Sequence, residues 1–66
     1  MPNYSKYSTA RLLKSLAREK KMWHSLPRKS SFSGLAVSGR LEKIQTILEN
    51  REAKFEPIYT EINMLG

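Results

Sequence analysis

The stretch Val37-Ser38-Gly39-Arg40-Leu41-Glu42-Lys43-Ile44-Gln45-Thr46-Ile47-Leu48-Glu49-Asn50-Arg51-Glu52-Ala53-Lys54-Phe55 decides how this chain folds. Within it Val37, Leu41, Ile44, Leu48, Arg51 and Phe55 recur at alternating spacings of four and three residues. Residues so spaced share one face of an α-helix, which predicts a helix over 37–55 carrying a heptad seam. Only the charge of Arg51 interrupts that seam. Glu42, Lys43, Thr46, Glu49 and Asn50 face away from it in mixed signs, as a solvated surface does. A lone helix of this length with one apolar stripe is not stable in water. The seam therefore has to be covered.

Its nearest cover lies upstream. Leu12, Leu16, Trp23 and Leu26 fall on one face of a second predicted helix over 8–26, with Glu19 in the position between Leu16 and Trp23. Ser8 or Thr9 can cap its start through a side-chain oxygen, and Pro27 disfavours helical geometry at Leu26. Residues 27–36 form the connecting loop, and Ser33 or Ser38 can cap the second helix, with Gly34 and Gly39 near its start. The fold class expected is all-α, a small antiparallel helical hairpin. If Leu26 meets Val37, then Trp23 meets Leu41, Glu19 falls beside Ile44 and Gln45, Leu16 meets Leu48, and Leu12 meets Arg51. Burying an unpaired charge costs several kcal/mol, so Glu19 and Arg51 are expected at wet margins or paired in another molecule, as elements of specificity.

The flanks carry less pattern. Residues 1–7 hold Pro2, Tyr4, Lys6 and Tyr7 without a sustained period and predict a flexible basic arm. Residues 56–66 begin at Pro57, which stops or redirects the helix. Ile58, Ile62 and Leu65 would share a face in a short third helix; a single strand would lack a pairing partner. A docking tail or short third helix is the expectation.

Composition bounds the chemistry. Sixty-six residues make one small domain, and a chain near this size buries only about 60% of its unfolded surface. There is no cysteine, and His24 is the single histidine, so neither a disulfide framework nor a metal-ligand cluster can be assembled. No Gly-rich phosphate loop, paired catalytic carboxylates or nucleophile triad is present. The chain is expected to be non-enzymatic, without cofactor or metal. No apolar run approaches the ~20 residues that a membrane span requires.

Charge is the informative quantity. The net charge is +6, and residues 1–33 carry eight bases against Glu19 alone, which leaves +7, while residues 34–66 carry four bases against five acids, which leaves −1. Arg11, Lys14, Arg18 and Lys21 line the side of the first helix opposite its apolar face, and Arg28 and Lys29 extend them into the loop. Four bases without an acid are expected to contact a nucleic-acid backbone without reading sequence. A plain solvated or acidic-protein-facing surface and an anionic membrane are the competing targets. Glu19 amid the apolar face argues against membrane insertion.

The second expectation is a protein-binding modulator or inhibitor that docks Leu41, Ile44, Leu48, Arg51, Phe55, Tyr59 and Ile62 on a larger partner. An antiparallel homodimer through the same face also leaves Arg51 free to pair, whereas a parallel one stacks Arg51 on itself. The setting expected is intracellular, cytoplasmic or nucleoid-associated. An acid-free, Ser-, Lys- and Arg-rich start also matches an organellar transit peptide.

Three short tracts add resemblances. Arg28-Lys29-Ser30-Ser31-Phe32 resembles a basophilic kinase site at Ser31, where phosphate would cancel part of the local positive field. Glu56-Pro57-Ile58-Tyr59-Thr60 resembles the tyrosine-phosphorylation motif of bacterial effectors delivered into host cells, which implies a modified Tyr59 followed by an apolar Ile62; on its own the residue is expected to pack. Ser38-Gly39-Arg40-Leu41-Glu42 resembles the inhibitory helix of antitoxins that block Fic-domain enzymes, in which a Ser or Thr precedes a Glu by four residues. Lys43 departs from that pattern, which usually has Gly or Asn after the Glu.

Overall fold

A computed structural model of the chain describes residues 3–60. Two helices, α1 (Thr9–Ser25) and α2 (Phe32–Asn50), pack antiparallel as a hairpin, preceded by one 3-10 turn (Tyr4–Lys6). There is no strand among the described residues.

Helix α1 begins as its sequence dictates. The Ser8 hydroxyl accepts a hydrogen bond from the Arg11 N–H at 3.2 Å, which satisfies one of the free amides of the first turn. It stops at Ser25 because Leu26, before Pro27, takes the extended conformation that a pre-proline residue prefers (φ −70, ψ 130).

Helix α2 starts five residues before Val37, so the loop is shorter than expected. Its cap is Ser31, not Ser33 or Ser38: the Ser31 hydroxyl accepts from the Gly34 N–H at 3.1 Å and donates to the Arg28 carbonyl at 2.7 Å. Gly34 makes this tight connection possible. A Cβ at that position would stand 1.8 Å from the Lys29 carbonyl oxygen. Only a glycine lets the preceding turn lie against the helix this closely. Gly39 falls inside the helix, where a side chain would meet nothing within 4 Å.

The other end of α2 also differs from the sequence pattern. The helix closes at Asn50 and leaves Phe55 outside it. Glu52 adopts φ 55, the Glu52 N–H donates to the Glu49 carbonyl at 2.9 Å, and the Ala53 N–H donates to the Leu48 carbonyl at 3.0 Å. These are the paired bonds of a Schellman termination, with Glu52 at the left-handed position that glycine usually fills. Pro57 therefore does not end the helix. Burial of Ala53, Phe55 and Ile58 against the core outweighs the local preference of this segment to continue as helix.

The core is the predicted seam and its expected cover. Leu12, Leu16 and Trp23 from α1 meet Val37, Leu41, Ile44 and Leu48 from α2, and all seven are buried. Burial of each such side chain contributes about 1.5–3 kcal/mol. The register sits one turn away from the simplest pairing: Glu19 meets Arg40, with Oε1 3.0 Å from Nε, and not Gln45. The shorter loop is the physical reason.

The N-terminal arm is folded onto this core. Tyr4 is buried in it, and the Tyr4 and Tyr7 rings meet edge-to-face with centroids 5.3 Å apart. Two aromatic rings give even a short terminal segment enough apolar surface to dock.

Past Arg51 the chain doubles back along the hairpin as an extended strap. The Lys20 ammonium donates to the Glu56 carbonyl, Gln45 binds Ile58, and the Ser38 hydroxyl donates to the Thr60 carbonyl at 3.2 Å. Residues 51–60 hold no helix; Ile62 and most of the expected third helix lie outside the described residues.

Candidate nucleic-acid interface

The buried side of α1 consists of Leu12, Ser15, Leu16, Glu19 and Trp23. Helical geometry places Arg11, Lys14, Arg18 and Lys21 away from it, and all four are exposed. At 1.5 Å per residue this row spans about 15 Å, several phosphates of a nucleic-acid backbone. Arg11, Lys14 and Arg18 surround a shallow concavity of ≈ 270 Å³ that has Ser15 in its lining. A small residue there leaves room between the long basic side chains.

One member of the row is pre-positioned. The Arg11 guanidinium lies 3.8 Å from the centre of the Tyr7 ring, a cation–π stack that holds the charge in place without neutralising it. The sequence pattern puts Tyr7 in the arm beside Lys6, where it could stack on bases, and not in this row. Its spacing of four from Arg11 was the available signal, but it had no force until the arm was seen to fold back.

Among the described residues, Lys14, Arg18, Lys21 and Arg28 have no acidic partner. Three other bases of the hairpin are committed elsewhere. Arg40 holds Glu19. Lys20 holds the strap. Lys29, half-buried, donates to the Leu26 carbonyl at 3.2 Å and stands 5.7 Å from the centre of the Trp23 ring. Of the six bases expected in the interface, five thus point outward and Lys29 is drawn back onto the turn.

The expected docking residues are dispersed. Leu41, Ile44 and Leu48 are fully buried inside the hairpin. Phe55 is half-buried in the strap, and Ile62 lies outside the described residues. Tyr59 does not pack as expected; it is 89% exposed. Nor does Arg51 stand opposite a leucine. It follows the helix end, and its guanidinium donates to the Thr9 hydroxyl at 3.3 Å and the Ser5 carbonyl at 3.0 Å, tying the arm and the start of α1 to the end of α2. Glu19, the other charge within the seams, has found Arg40, but its second oxygen is buried with no hydrogen-bond partner among the described residues. Partial satisfaction of a buried carboxylate limits what that pair adds to stability.

Tyr4 is the titratable group whose environment bears on the arm. Burial pushes its phenol above the ordinary tyrosine value, and the Glu19 carboxylate pushes it the same way, against the smaller opposing effect of Arg40. Among the described residues no group of three His, Cys, Asp or Glu side chains could hold a metal ion. His24 is exposed in the last turn of α1. No helix among them is long and apolar enough to cross a membrane.

These features define a basic helical hairpin with a cationic row that has no acidic partner among the described residues. Compared with models of protein families, with curated proteins and with solved structures, the chain matches none.

Proposed function

We propose that this is a small non-enzymatic accessory protein that grips the phosphate backbone of nucleic acid through Arg11, Lys14, Arg18 and Lys21, with Arg28 extending the contact. The supporting observation is that the row is exposed, acid-free and without acidic partners among the described residues. A solvated face with no binding role ordinarily mixes signs. Contacts of this kind position a protein on a polyanion and carry no sequence information. The working environment is then an intracellular one that holds nucleic acid. The alternative of a modulator docking its second-helix seam on a larger partner gains no support from the fold, because Leu41, Ile44 and Leu48 are consumed by the chain's own core.

The test is a titration of labelled duplex by fluorescence anisotropy across salt concentration. Four phosphate contacts predict a log–log slope near −3.6, from about −0.9 per contact. Lys14→Glu with Arg18→Glu should weaken binding regardless of sequence and reduce the slope by about 1.8. Binding indifferent to salt, or to this double substitution, would sink the proposal.

A further inference from the structure

The strap is held in an unusual way. Gln45 binds both backbone groups of one residue: its Oε1 accepts from the Ile58 N–H at 2.9 Å and its Nε2 donates to the Ile58 carbonyl at 3.1 Å. Lys20 and Ser38 take the carbonyls of Glu56 and Thr60. A groove on the hairpin thus reads an extended peptide through its backbone and accepts Phe55 and Ile58 against the core. All four bonds come from side chains of α1 and α2, so the receptor is separate from the segment it holds.

The hinge between them keeps its backbone bonds in either of two geometries. In the closed one Glu52 stands at φ 55, a conformation that disfavours any residue with a Cβ. If Arg51 and Glu52 took ordinary helical geometry instead, the Leu48 carbonyl would accept from Glu52 and the Glu49 carbonyl from Ala53. No backbone bond would be lost and the strain would be relieved. The heptad spacing through Arg51 and Phe55 shows that the sequence suits that alternative.

We propose that the groove takes the strap of a second copy of this chain, giving a strap-exchanged dimer. The second copy is the occupant because its strap reproduces every bond described for the first, at the expense of the hinge alone. In cis the strap competes at an effective concentration in the millimolar range. Exchange is therefore a high-local-concentration event, such as crowding along a polymer, although it does not depend on the proposed nucleic-acid role.

The experiment uses the full chain. Light scattering after size exclusion, from about 10 μM to about 1 mM, should show a monomer giving way to a dimer. Glu52→Gly, which removes the hinge strain, should raise the dimer Kd roughly tenfold or more. In an equimolar mixture of isotope-labelled and unlabelled protein, an intermolecular NOE should join the Gln45 side-chain amide of one copy to Ile58 of the other. A monomer at every concentration, a dimer without that NOE, or a dimer Kd unmoved by Glu52→Gly would each overturn the proposal.

Discussion

The segments that flank the hairpin, residues 3–7 and 51–60, both close over it, and they do so by different physics. The N-terminal arm is anchored mainly by what its side chains are: Tyr4 in the core, Tyr7 on its edge and under Arg11. The C-terminal strap is anchored mainly by what its backbone is, since Gln45, Lys20 and Ser38 bind carbonyls and an amide. An attachment through a buried ring fails when that ring is removed. An attachment through backbone groups fails when the helix side chain that holds them is removed, and tolerates more change in the strap itself.

The largest effect should come from the arm. Tyr4→Ala removes a buried aromatic from a small core and should cost about 3 kcal/mol. In a domain of this size that lowers the midpoint of thermal unfolding by more than about 10 °C, read by circular dichroism. A change below about 0.5 kcal/mol, the range of ordinary surface substitutions, would mean that the arm is not part of the core and would erase the contrast with the strap.

The strap should respond less, and locally. Gln45→Ala removes both bonds to Ile58 and leaves its backbone groups to water, for a loss of about 1–2 kcal/mol. Amide exchange of Ile58 should accelerate while that of Leu12 and Leu16, deep in α1, changes little. Equal acceleration across the chain would show that the strap and hairpin unfold as one unit.

This contrast also explains what was legible in the sequence. Heptad spacing exposed the two helices and their facing residues, because Leu12, Leu16, Trp23, Val37, Leu41, Ile44 and Leu48 repeat at a helical period. The basic row was legible for the same reason, since Arg11, Lys14, Arg18 and Lys21 lie at helical spacing on the other side. The ends of α2 were not legible. Gly34, which the sequence places only near the start of the second helix, is the residue that permits the close turn. Phe55 keeps the period of the seam, yet burial of Ala53, Phe55 and Ile58 against the core, with the strap's nonlocal bonds to Lys20, Ser38 and Gln45, draws it off the helix. Periodicity records which residues can share a face, and it carries no record of a segment held by someone else's side chains. The register differs likewise: Glu19 pairs with Arg40, one turn from Gln45, because the loop is shorter than the residue pattern implies.

The smallest predicted effect tests the contact between arm and hairpin without disturbing its shape. The Tyr4 phenol is raised above its ordinary value of 10.0, chiefly by burial and then by Glu19. Its hydroxyl has no hydrogen bond among the described residues, so Tyr4→Phe should leave stability at pH 8 nearly unchanged. The sign at higher pH follows from proton binding. A phenol that holds its proton more tightly in the folded state gives its full contribution below the unfolded value, and that contribution is lost as pH rises from about 10 through the raised folded value. Urea denaturation at pH 8 and again near pH 11 should therefore show the wild type losing more stability than Tyr4→Phe. Every other ionisable group is common to both proteins, so the difference between them isolates Tyr4. If that difference stays flat across the interval, the ring is solvated when folded, and the arm would be held by Arg51 at Ser5 and Thr9 more than by its aromatic anchor.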